Sequence, residues 1–390
     1  MKKQKVCIIG GGLTAFVTAI TLSKLNLEID LIVNDNFNKS IDSPRTLAIS
    51  QNNYDFLNRL KIDHLLYKEF WPCSSMKLYS SEKNKRFDRI FEINKEKKEK
   101  KVLYMIKYSN LIKKTKQNIY KNKLINLKMG KKYFKVKNSN FLKNIESKKN
   151  KYNLIIACGE NLVNNKNNLL KDKLVFRSYN EYSITTILKH NLFKNNTARQ
   201  LFIDDEILAL LPVSKNKTSI VWSIKKNKAS IYTTKKNFLL KKKIKSYTKD
   251  FLKKIEFFSK IEFNDLKFSV KDKYFNDRIL FFGDILHKVH PLTGQGFNMV
   301  LRDLLSLEKI LKNKINLGLD IGSSDILDEF SKKIKPSTLA YSFGIDFLRS
   351  CFSVKNESVN KVRNKIIKNL DKNVLIKEAF YNVANDGLKF

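Results

Sequence analysis

Arginine is what this basic chain is short of. Its 390 residues hold 77 lysines and arginines against 37 aspartates and glutamates, a formal charge of +40, yet only ten of the 77 are arginine. The planar guanidinium fork is the group that reads phosphate and guanine through paired hydrogen bonds. Its scarcity argues against a nucleic-acid binder, and no nucleic-acid partner is expected. Lysine, asparagine and isoleucine dominate instead, the residues that AT-rich codons favour. Compositional drift is therefore the simplest source of the charge, and an anionic surface or partner is the second. Glycine (12) and proline (5) are also few, which excludes collagen repeats and proline-rich linkers. No apolar run reaches the roughly 18 residues needed to span a bilayer, so a multi-pass membrane protein is excluded. Cys7, Cys73, Cys158 and Cys351 form no C-x-x-C pair, which predicts reduced thiols, no disulfide framework and no zinc site by spacing.

What is present points to a folded chain of two or three units. An apolar fraction of 42% is ample for a core. The lysines before Val6–Leu22 imitate a signal peptide, but Gly10, Gly11 and Gly12 interrupt the stretch and no small-x-small cleavage site closes it. A chain that stays in the cytoplasm is expected. The short apolar run at 5–9 predicts a buried parallel strand, 13–25 has helical spacing, and 29–33 is the next strand, which together make a βαβ unit. Residues 45–60 read as a loop leading into a helix. Met76–Ile93 suggests a hairpin. The stretch 101–151 holds sixteen lysines and one acid, Glu146, yet keeps enough periodicity for a helix near 107–119 and a small sheet. Strands dominate 173–270, with one long lysine-rich helix near 235–259. A buried strand at 278–282 precedes a helix from Gly296, and the chain is mostly helical from 325.

Two segments carry chemistry. Gly10-Gly11-Gly12-Leu13-Thr14-Ala15 fits G-x-G-x-x-A between strand and helix. Gly10 allows a tight turn, Gly12 lets a pyrophosphate approach the backbone, and Ala15 allows close helix–strand packing. The helix N-terminus attracts the phosphate charge, with Thr14 in its first turn. The acid that would hold a ribose belongs at the end of the second strand. That slot falls on Val33, leaving Asp35 just beyond it as the candidate. The second segment is Gly283-Asp284-Ile285-Leu286-His287-Lys288-Val289-His290-Pro291-Leu292-Thr293-Gly294-Gln295-Gly296-Phe297-Asn298. His287 and His290 lack a third metal ligand spaced with them, and no metal is expected.

This second segment resembles the G-D-x-x-H-x-x-x-P-x-x-G-Q-G-x-N stretch of the FAD-dependent aromatic hydroxylases with the p-hydroxybenzoate hydroxylase fold. Leu210-Leu211-Pro212 with Ser219-Ile220-Val221-Trp222-Ser223, and Arg45-Thr46-Leu47-Ala48-Ile49-Ser50, resemble the ubiquinone-biosynthesis branch. The resemblance implies an α/β fold: a Rossmann-like FAD-binding domain, a mostly antiparallel β-sheet substrate domain and a helical C-terminal segment. The division expected is 1–72, 100–176 and 272–340 for FAD, 73–99 and 177–271 for substrate, and 341–390 for the C-terminal helices. It implies a monooxygenase that uses FAD, O₂ and NAD(P)H or another donor to hydroxylate a lipid-soluble polyprenylated phenol. Asp284 is then expected to bond the ribityl chain, and Gly294, Gln295 and Gly296 to face the flavin's pyrimidine edge. Pro291 would stiffen the approach, and Arg45 would offset phosphate charge. A quinone-biosynthesis protein complex and the inner face of an anionic membrane are the further partners implied. Two alternatives stay open: a related flavoprotein acting on another isoprenoid lipid, and a non-catalytic member of such a complex. One segment departs from the family. Its Asp-Gly pair, with Ser and Arg beyond, is replaced here by Cys158-Gly159-Glu160-Asn161-Leu162, which puts cofactor reduction in more doubt than FAD binding.

Overall fold

The computed structural model describes residues 3–34, 42–62, 66–81, 86–95, 99–130, 135–137, 141–143, 149–159, 173–233, 237–354 and 356–388. Its first layer is a six-stranded sheet in the order Phe275–Asn276, Ile279–Phe281, Leu154–Ala157, Gln4–Ile9, Leu27–Asn34, Ile125–Gly130. The pairs are parallel except at the Phe275–Asn276 edge, with Val6 level with both Leu154 and Ile29, and Ile156 level with Leu280. Val6 through Ile9 and Leu154 through Ala157 are wholly buried, so both faces are covered. That is why these strands read as unbroken apolar runs and not as alternations. The helix Leu13–Leu22 packs against Tyr108–Lys121 and Gly296–Asn316.

The second layer is a large sheet. Its main path runs His287–Lys288, Glu262–Lys271, Lys173–Lys189, Lys217–Lys225, Glu206–Ser214, Thr197–Ile203, Ser75–Ser81, Phe87–Asn94. Neighbours are antiparallel except Thr197–Ile203 against Ser75–Ser81. Two-residue connections at 204–205 and 215–216 close its hairpins, with Asp204 in the left-handed region at φ 52°. The long strand Lys173–Lys189 carries a bulge between Ser178 and Glu181, where Asn180 has φ 55°. A bulge of this kind re-aims the side chains beside it.

A three-stranded antiparallel sheet, Thr46–Ile49, Leu103–Lys107 and Trp71–Cys73, lies between the layers. Residues 46–49, expected as loop, are thus a strand. Pairing with a partner more than fifty residues away leaves no local signal. Of the lysine-rich helix expected near 235–259, only Asn237–Thr248 forms; a strand at Glu256–Phe257 follows it, and a separate helix, Lys226–Thr233, precedes it. Phe251 packs against the core under the sheet and Phe257 pairs with Leu188 at the sheet itself, instead of extending the helix. The chain ends in three helices, Ser324–Phe352, Glu357–Asp371 and Val374–Asp386. No helix among the described residues is long and apolar enough to cross a membrane.

Candidate functional site

The first strand leads into Gly12, Leu13 and Thr14, which line a cleft of about 610 Å³. Gly10 donates its N–H to Ile32 O at 3.0 Å, and a Cβ there would lie 2.9 Å from Ala15 Cβ and 3.1 Å from Cys158 Cβ. Only hydrogen fits. Gly12 differs: a Cβ on it would meet nothing within 4 Å, because this position opens on the cleft. Gly12 also caps the helix Leu13–Leu22 without any side-chain hydrogen bond, and the first turn holds no acid. The helix therefore presents backbone N–H groups and the positive end of its dipole to the cleft.

Tyr108, which the sequence did not single out, stands at the same helix end. The Leu13 backbone N–H faces its hydroxyl, and burial pushes that hydroxyl's pKa up. Its backbone N–H donates to Arg45 O at 2.9 Å, and the Arg45 guanidinium lies over its ring at 5.1 Å. Arg45 is otherwise exposed, at the cleft wall beside Gly12 and Thr14.

The second segment arrives from the neighbouring parallel strands. Phe282 donates to Ala157 O at 2.9 Å, and the chain then turns at Gly283, whose φ is +71°. A Cβ on Gly283 would stand 2.5 Å from Thr14 Cγ2, so the two glycine segments touch here. Asp284 follows with its carboxylate exposed to the cleft. Pro291 opens a short 3-10 turn that Gly294 closes in the left-handed region at φ 62°. A Cβ at Gly296 would meet nothing, and Gly296 lines the cleft. Gln295 caps the long helix Gly296–Asn316, but its side chain is buried and its Oε1 has no partner among the described residues. Asn298 is a latch. It donates to Ala48 O at 2.8 Å and accepts from Ser50 N at 3.1 Å and Asn53 Nδ2 at 3.0 Å.

The two histidines hold separate carboxylates. His287 Nε2 lies 3.2 Å from Asp303 Oδ2, and His290 Nε2 lies 3.2 Å from Glu181 Oε2. Leu292 N–H donates to His290 Nδ1, so the proton of the neutral ring sits on Nε2 and points at Glu181. Glu181 also receives Arg349 and, at 3.1 Å, Lys225. Burial opposes the charge on Glu181, but hydrogen bonds from His290 and Arg349 outweigh it and hold the carboxyl at about 2. Burial lowers the His290 pKa against the pull of Glu181. Among the described residues no group of three or more His, Cys, Asp or Glu side chains could hold a metal ion.

The third segment enters from below. Cys158 donates its N–H to Ile9 O at 2.8 Å and lines the cleft, with burial raising its thiol pKa. Asp35 and Glu160 to Leu162 lie outside the described residues. Opposite the glycine segments the large sheet forms the far wall. One cross-strand row runs Thr185, Val221, Ala209, Gln200, and all four line the cleft.

A family profile described as an FAD binding domain matches residues 181–338, the stretch that contains Gly283–Asn298. The chain is 26% identical over 245 residues to a ubiquinone biosynthesis monooxygenase, COQ6, of Dictyostelium discoideum, covering 51% of this chain and 50% of that one. It is 24% identical over 181 residues to the ubiquinone hydroxylase UbiM of Neisseria meningitidis, covering 46% and 39%. The chain thus spans half or less of the length of these relatives. Among solved structures, p-nitrophenol 4-monooxygenase from Pseudomonas putida superposes with a TM-score of 0.73 at 12% identity, over 100% of both chains. PqsL of P. aeruginosa in complex with 2-aminobenzoylacetate gives 0.73 at 12%, over 91% of this chain and 98% of that one. The fold is that of the p-hydroxybenzoate hydroxylase-like monooxygenases.

Proposed function

We propose that the chain is an FAD-dependent monooxygenase that hydroxylates the aromatic ring of a polyprenylated phenol in ubiquinone biosynthesis, with NAD(P)H or a partner protein as reductant. One observation carries the reading. Gly12, Thr14, Arg45, Asp284, Gly294 and Gly296 come from three separated stretches and line a single cleft. The cleft accepts an extended dinucleotide: the positions of Gly12 and Gly296 are open where any Cβ would intrude, and the intervening helix end has no side-chain cap. The N–H groups of the first helix would hold the pyrophosphate, and Arg45 would offset its charge. Asp284 would accept from a ribityl hydroxyl. The backbone at Gly294–Gly296, at the start of a 21-residue helix, would face the pyrimidine edge and stabilise negative charge there. FAD, when bound, supplies the oxygen chemistry; the chain orients the ring, excludes water and supplies the field. The division given above, with FAD and substrate segments interleaved, follows from this reading.

Contact with an anionic membrane is part of the proposal. The helix Glu357–Asp371 buries none of its residues, and Val359, Val362 and Ile366 form an exposed stripe on one face of it. Lys361 and Lys365 lie along one side of that stripe, an apolar strip beside basic residues that suits an interfacial helix. A lipid-soluble substrate would be met there.

The test is the purified protein. A flavin spectrum, with O₂-dependent addition of one oxygen atom to a short-chain prenylphenol read by mass spectrometry, supports the proposal. Asp284→Ala should weaken FAD binding about tenfold or more, the worth of a hydrogen bond to a charged group. A colourless protein, or FAD affinity unchanged by Asp284→Ala, counts against it.

A further inference from the structure

The far wall of the cleft holds a polar atom with nothing to bond. Gln200 is 4% exposed, lines the cleft, and its Nε2 has no hydrogen-bond partner among the described residues. A buried amide left in this state costs free energy, and because this one lines the cleft a ligand there can complete it. The surroundings say what kind of ligand. Gln200 stands level with Leu78 on one side and with Ala209 on the other, and Ala209 with Val221, so the row beside the amide is apolar and, toward Val221, small. That leaves flat room for a ring next to one donor.

Thr185, at the other end of the row, also has an unpartnered hydroxyl. Three strand spacings of about 4.8 Å separate the two ends, so one ring oxygen cannot meet both. Position favours Gln200. Ala198, two residues before it, shares an apolar cluster with Ala48, and Ala48 Cβ is what a Cβ on Gly294 would meet at 3.1 Å. Phe202, two residues after it, shares a cluster with Leu292. Gln200 thus lies across from the turn Pro291–Gly296.

We infer that Gln200 is the ring-anchoring residue of an aromatic subsite and donates its carboxamide N–H to an oxygen on the substrate ring. The inference rests on the proposed function, which gives the facing turn to the flavin ring. It adds the residue that sets which edge of the substrate faces that turn. An N–H donor satisfies a hydroxyl or an ether oxygen alike, whereas a ring without oxygen leaves it unpaired.

The experiment is calorimetric titration of the FAD-loaded protein with three probes, ortho-butylphenol, ortho-butylanisole and butylbenzene. The wild type should bind the phenol and the anisole about tenfold or more tightly than butylbenzene, the cost of leaving one buried donor unpaired. Gln200→Leu should bind all three equally, with butylbenzene unweakened, while Thr185→Val should keep the preference. A wild type that does not favour the oxygenated rings, or that binds none of the probes, overturns the inference, and that comparison needs no variant to fold. A Gln200→Leu protein that keeps the preference overturns it as well. The outcomes separate from those of the proposed function. Loss of the preference in Gln200→Leu without any hydroxylation by the wild type upholds the subsite and refutes the activity. Hydroxylation with the preference intact in Gln200→Leu does the reverse.

Discussion

The side chain of Asn298 accepts a hydrogen bond from the backbone N–H of Ser50 at 3.1 Å, across 248 residues of sequence. The same carboxamide donates to Ala48 O at 2.8 Å. Two motifs that look unrelated in the sequence are therefore one object. The strand behind Arg45 and the start of the long helix are held at a fixed spacing by one buried amide. Asn298→Ala leaves a buried N–H and a buried C=O unpaired. It is expected to destabilise the protein by about 2–4 kcal/mol and to weaken FAD binding. Denaturant unfolding of the apoprotein and FAD titration measure the two effects. Unchanged stability would show that water replaces the amide.

Gly283 makes a sharper case. Its φ of +71° is unfavourable for any side chain, and Thr14 Cγ2 stands 2.5 Å from where a Cβ would be. Gly283→Ala should push the two glycine segments apart and abolish flavin retention, whereas Gly12→Ala, with open space around it, should fold normally and lose FAD affinity alone. Thermal melts of the two apoproteins distinguish them. Equal melting temperatures sink the distinction.

The Glu181–His290–Arg349 network predicts acid sensitivity. Glu181 titrates at about 2 in the fold, below its ordinary value. The stability it contributes is present above about pH 4.5 and disappears as pH falls toward 2. His290 is also depressed, through burial. Below about pH 6.5 the unfolded chain takes up a proton that the folded ring refuses, so stability again drops with pH. The melting temperature should therefore fall steadily below pH 6.5. Glu181→Gln leaves Arg349 without its carboxylate and should cost about 3 kcal/mol at pH 7. A flat melting profile between pH 7 and 4 contradicts the assignment.

The resemblance to the aromatic hydroxylases implies an aspartate at the position of Cys158, which lies beside Gly10 and within the field of Asp284. The residues proposed to hold FAD, Gly12, Arg45, Asp284, Gly294 and Gly296, all line the cleft, so flavin binding is expected while direct reduction by NAD(P)H is slow, with another protein delivering the electrons. Stopped-flow bleaching of the holoprotein by NADH and by NADPH measures this. Fast bleaching by either nucleotide alone refutes the expectation, and acceleration in Cys158→Asp supports it.

The exposed stripe on the Glu357–Asp371 helix predicts sedimentation with anionic liposomes, released at 1 M salt where screening shortens to about 3 Å. Ile366→Asp should reduce the binding several-fold and leave FAD content unchanged. Equal binding to neutral vesicles, or none to either, assigns the lysine excess to composition.

The local parts of the fold are written in short stretches of residues. The run at Val6–Ile9, the glycine turn and Gly283–Asn298 each encode their geometry within a few residues, because tight turns and buried strands restrict which side chains fit. Arg45 and Asp284, read from their own short motifs, line the cleft. The strand at Thr46–Ile49 was not, since its partner is Leu103–Lys107, and neither was the break in the helix near 248. Tertiary structure alone brought Tyr108 to the end of the first helix, tied His290 to Glu181 and Arg349, and set Gln200 in the cleft. Each of those depends on which strands neighbour one another and on what a bulge turns inward. Pairings of that kind are decided by the packing of the whole chain, and no short stretch of residues contains them.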